Sequence, residues 1–67
     1  MKIEENIIRI LKERKISLTS LSKETNIEYM KLYDSLMNNA RGRKLRADEF
    51  MVICEVLGKK AEELYKN

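Results

Sequence analysis

A chain of 67 residues can make one small domain at most. One cysteine and no histidine exclude a disulfide framework and leave too few ligands for a zinc site. The net charge is only +3, so affinity for a polyanion must come from how the charges are placed.

Stability must come from packed side chains, for which 43% apolar residues is ordinary. A lone cysteine fits a reducing compartment. The opening MKIEENIIRIL lacks a secretory signal's long apolar run, because Arg9 interrupts it. Nothing approaches the roughly eighteen apolar residues of a membrane span. The expectation is a soluble, cytoplasmic protein that does not engage a membrane.

There is no proline, two glycines stand far apart, and no β-branched residues alternate, so the pattern predicts an all-α domain. Ile3, Ile7, Ile10 and Leu11 recur at helical spacing and predict a first helix over about 3–14. Ser17 can cap a second, short helix by accepting from a free first-turn amide. Leu18, Leu21 and Thr25 carry its inner face. Asn26 suits a left-handed stop, Ile27 plugs the corner, and a third helix is expected over about 28–38. NNARGRK reads as a polar loop that Gly42 frees to turn. A fourth helix is expected over about 47–57, with Ala47, Phe50, Ile53, Cys54 and Leu57 inward and Gly58 as its C-terminal cap. A last short helix is expected over about 61–66, with Leu64 and Tyr65 tucked inward. The sum is a compact bundle of five short helices.

The charges are not evenly spread. RGRKLR, from Arg41 to Arg46, holds four positive charges and no acid, which suits either a polyanionic partner or a solvated loop. Acids pair elsewhere, at 48/49 and 62/63. Neighbours on a helix point about 100° apart, so helix-end solvation explains them better than acid–base chemistry. Cys54 lacks a histidine to activate it and falls on the inner stripe. No catalytic residue, metal or cofactor is expected.

A short helix, a tight turn at Asn26-Ile27 and a second helix are the parts of a helix-turn-helix. The segment ISLTSLSKETNIEYMKLYDSLMN, the basic loop, EVLG at 55–58 and AEELY at 61–65 together resemble the Cro/Xre-type phage-repressor family, over about residues 5–65. That resemblance implies a lambda-repressor-like fold with Leu21, Ile27 and Leu32 as buried anchors. Ser22 stands where the family keeps a small residue, and Asn26 where it prefers glycine. Leu18 replaces a frequent backbone-contacting glutamine, and Glu28 a frequent serine or threonine cap.

The tyrosines of NIEYMKLY sit four apart and share a helix face. On a helical plot they lie beside Leu36 but turned outward, so hydrophobicity alone would let them flank the core. The resemblance instead turns Tyr29, Met30, Tyr33, Asp34 and Met37 toward the bases of duplex DNA. Thymine-methyl contacts from Met30 and hydrogen bonds from Tyr33 would fit direct readout, and Asp34 is open to two readings, an acceptor from a cytosine amino group or a simple solvated acid. The resemblance places Thr19, Lys31, Asn38, Asn39, Arg41, Arg43, Lys44 and Arg46 at phosphates. The function implied is a DNA-binding transcriptional regulator, a repressor of phage or mobile-element type, paired as a homodimer on DNA. Pairing would use apolar surface at Ile8, Met51, Val52, Val56 and Tyr65. The alternative is a protein-binding module on the same fold, which Glu28 and Asp34 on the presumed reading helix favour.

Overall fold

Leu21 and Leu32 are completely buried, and the other helices are arranged around their contact. The computed structural model describes residues 2–38 and 43–65. It contains five helices: α1 (Lys2–Arg14), α2 (Leu18–Thr25), α3 (Tyr29–Leu36), α4 (Ala47–Leu57) and α5 (Ala61–Tyr65). The predicted elements all appear; α3 is shorter than expected by one residue at its start and two at its end. Asn39, Arg41 and Gly42, assigned above to the basic loop, lie outside the described residues, as does the expected last residue of α5.

The helix limits follow from local chemistry. Ser17 is extended and its Oγ accepts from the Ser20 N–H at 3.1 Å, which satisfies one of the free amides at the start of α2. Asn26 closes α2 at φ 61°, a left-handed geometry that asparagine tolerates better than most residues. Gly58 ends α4 at φ 67°, and the Lys59 N–H returns to the Cys54 carbonyl at 3.0 Å, a Schellman-type closure. Lys15 is also left-handed, at φ 56°; it ends α1 in a similar way, with the Ile16 N–H bonded to the Leu11 carbonyl. Nothing about lysine signalled that role.

Helix α1 packs on α3 and α5, α2 packs on α3 and α4, and α4 meets α5. The core is Ile7, Ile10, Leu11, Leu21, Leu32, Leu36, Ile53, Cys54, Leu57 and Leu64. Two polar side chains fasten its edges. Buried Asn6 donates to the Leu64 carbonyl at 2.5 Å, tying α1 to α5. Arg14 donates to the Leu57 carbonyl at 2.7 Å, placing a cation at the negative end of α4. Two inward assignments fail. Ala47 is exposed, and the residue of the first turn of α4 that is buried is Glu49, on nearly the opposite side of the helix. Tyr65 is 53% exposed, since Leu64 alone fills the site under the short α5. Cys54 is 5% exposed, and burial pushes its thiol pKa up, as suits a core residue.

Replacing Leu32 by alanine removes the centre of this packing. The expected cost is about 2–5 kcal/mol, against about 3–10 kcal/mol for a domain of this length. Circular dichroism melting should show the transition lowered by about 10 °C or more, or lost.

Candidate nucleic-acid interface

The α2–α3 corner is locked by side chains as well as by its left-handed residue. The Ser22 hydroxyl donates to the Ile27 carbonyl at 2.6 Å. Thr25 Oγ1 donates to the Leu21 carbonyl at 2.7 Å and accepts from the Ile27 N–H at 3.3 Å. Half-buried Ile27 packs against the core. These bonds satisfy turn groups that would otherwise face the protein interior, and they fix the angle at which α3 leaves α2. Glu28 starts α3 without a side-chain cap and is exposed, so its carboxylate acts only through the helix dipole.

With Leu32 and Leu36 facing inward, the other side of α3 carries large apolar groups in solvent. Tyr29 is 44% exposed, Met30 59%, Tyr33 39% and Met37 44%. At about 100° per residue these four span a continuous arc of roughly 100°. The two phenol rings stack, with centroids 6.3 Å apart and planes inclined by 22°. The tyrosines therefore hold each other outward beside the core instead of filling it. Asp34, next around the helix, is half-buried and close enough to Arg43 to raise that residue's pKa.

The expected phosphate-binding residues are not equivalent. Thr19 and Lys31 are exposed, on α2 and α3. Half-buried Asn38 uses its backbone N–H to end α3 on the Tyr33 carbonyl at 3.0 Å. Exposed Lys44 borders a groove at the end of α3 with Met37 and Asn38. Arg46 is exposed, and its guanidinium lies 3.6 Å from exposed Asp48, a weak surface pair.

Arg43 is engaged inside the fold. Its Nη1 donates to Ser35 Oγ at 2.7 Å and to Glu49 Oε1 at 3.1 Å, and its Nη2 donates to Glu49 Oε2 at 2.9 Å. Glu49, only 8% exposed, also accepts the Arg46 N–H at 3.0 Å. One carboxylate thus joins the end of α3, the basic segment and the first turn of α4. The assignment of Glu49 as a solvated helix-end acid is corrected: the bidentate Arg43 pair and the Arg46 amide draw it inward. The Arg43 hydrogen bond, aided by the Arg46 amide, holds the Glu49 carboxyl below its ordinary pKa, and the same bond raises that of Arg43. Sequence reading missed Glu49 and Ser35. The available signal was a glutamate three residues after the helix-capping position, with an arginine shortly before it.

Among the described residues, no group of three or more cysteine and acidic side chains could hold a metal ion, and no helix is long and apolar enough to cross a membrane. A locked two-helix corner, an exposed second helix and flanking basic residues define a helix-turn-helix DNA-binding domain. The family model of the Cro/C1-type HTH DNA-binding domain matches residues 6–66, and the chain belongs to that family. No curated protein matches significantly. No solved structure does so either.

Two measurements check this geometry. Tyr33→Ala should cost about 1 kcal/mol or less in melting experiments, the worth of an aromatic pair, whereas a core tyrosine would cost about 3 kcal/mol or more. Because the Glu49 pKa is lowered by folding, its contribution is complete above the ordinary carboxylate range. It is lost as pH falls through the folded value. Glu49→Gln should therefore lower stability by about 1.5–3 kcal/mol near neutrality and flatten the stability loss seen below about pH 4.3.

Proposed function

We propose that this domain regulates transcription by binding a specific duplex sequence through the exposed arc of α3. The observation that carries this function is the arc itself. Four large side chains stand in solvent on the second helix of a locked corner, where packing has no use for them and an exposed apolar patch calls for a partner. Base edges are read by side chains from such a helix, while phosphate contacts set its position. Thr19, Lys31, Asn38, Lys44 and Arg46 suit the phosphate role, with Asn39 and Arg41 assigned to it from sequence. Arg43 is less suited to the phosphate role, because three of its five N–H donors are already engaged within the fold.

Repression is the simpler mode of action, since occupying a promoter is sufficient, whereas activation needs a further contact. A phage or mobile-element regulator is the kind of repressor the sequence resembles. Pairing on two half-sites about one helical turn apart would use exposed Met51 and Tyr65, with half-buried Ile8, Val52 and Val56 beside them. A second function, binding a protein through the same arc, draws support from exposed Glu28 at the start of α3 and from the acids facing Arg43 and Arg46.

Selection from random duplexes decides between these. An enriched motif with two symmetric half-sites is expected; enrichment of nothing would favour the protein-binding module, and a single asymmetric site would remove the homodimer. On the enriched site, Lys44→Ala and Arg46→Ala should each reduce the slope of log affinity against log salt by about 0.9. Random DNA should lose affinity to the same degree. Arg43→Ala should instead lower the melting temperature. A slope that stays fixed in both lysine and arginine variants would remove these residues from the phosphate contacts.

A further inference from the structure

The chemistry of the exposed arc restricts which bases it can recognise. Helix α3 reads YMKLYDSL, without the arginine, asparagine or glutamine that make paired hydrogen bonds to guanine or adenine. Its lysine, Lys31, lies outside the arc, about 100° beyond Met30 on a helical plot. What the arc offers is two thioethers and two phenols, all at least 39% exposed: a mostly apolar surface with a hydroxyl on each ring. In the major groove, one base presents an apolar group beside a hydrogen-bond acceptor. Thymine carries its C5-methyl next to O4, while cytosine has a donor there and the purines present no methyl.

Resting on the DNA-binding function proposed above, we infer that α3 selects its site through thymine C5-methyl groups, received by Met30, Tyr33 and Met37. The Tyr29–Tyr33 stack keeps the Tyr33 ring from folding back onto the core, so the stripe is formed before DNA arrives. Little side-chain freedom is then lost on binding. Methionine, unbranched and polarizable, can follow the uneven surface that successive methyl groups make.

The test replaces each thymine of an enriched half-site by deoxyuridine, which removes the methyl and keeps O4. Affinity should fall about fourfold for each methyl that the protein buries. Met30→Ala, Tyr33→Ala and Met37→Ala proteins, truncated at exposed positions, should still fold, and the thymine-to-uracil ratio should narrow in at least one of them. Equal affinity of the unaltered protein for both duplexes would overturn methyl recognition while leaving DNA binding intact. A ratio unchanged in all three variants would overturn it as well, by placing the methyl contacts elsewhere. If no duplex is enriched at all, the DNA-binding function fails and the inference fails with it.

Discussion

A short amphipathic helix can bury only one stripe of its surface, and in α3 that stripe is Leu32 and Leu36. Everything else on this eight-residue helix must find a use in solvent or at a neighbour. The Leu21–Leu32 region is the centre of the domain, and the Ser22 and Thr25 bonds fix the corner beside it. The orientation of α3 is therefore over-determined. A rigidly held helix can present chemistry with the accuracy that base recognition demands, because misplacing a contact by even a fraction of an ångström weakens it.

The second constraint is electrostatic. Glu49 sits where three segments meet, and a buried carboxylate without partners would be costly. Arg43 and the Arg46 amide meet that cost, and in doing so they are themselves held beside the first turn of α4. The pair has a consequence for binding as well as for folding. An arginine paired through two N–H groups with a carboxylate adds less to the long-range field felt by DNA than a free one. The basic segment is thus less cationic toward a ligand than RGRKLR suggests when written out.

Most of the architecture was legible in the sequence, for reasons that are local. Ser17, Asn26 and Gly58 mark helix ends because their own backbone preferences and side-chain bonds act within a few residues. The inner stripe Ile7, Ile10, Leu11, Leu21, Leu32, Ile53, Cys54 and Leu57 follows helical spacing directly. What could not be read depends on distant partners. Ala47 looked apolar enough to face inward but lies exposed, whereas Glu49, on nearly the opposite side of the helix, turns inward because Arg43 is there to receive it. Lys15 adopts a left-handed geometry for the sake of the chain's path from α1 to α2. Tyr65 was outcompeted by its neighbour Leu64 for one small site. The tyrosine pair was ambiguous in sequence for a related reason: hydrophobicity places it beside the core, and only packing decides which side of the boundary it occupies.

The two constraints together divide affinity from selectivity. Phosphate attraction acts on every duplex alike, and here part of the local positive charge is spent inside the fold. If Tyr29, Met30, Tyr33 and Met37 read the groove as proposed, their contacts would act only where a complementary surface is present. Tempering the first while enlarging the second would lower binding to random DNA more than binding to the right site. Because a genome offers a vast excess of wrong sites, that ratio matters more than absolute affinity. A domain with one short reading helix would gain most from it, since it would have few base contacts with which to discriminate. On that function the Arg43–Glu49 pair, which reaches α3 through Ser35, and the apolar arc would serve the same end.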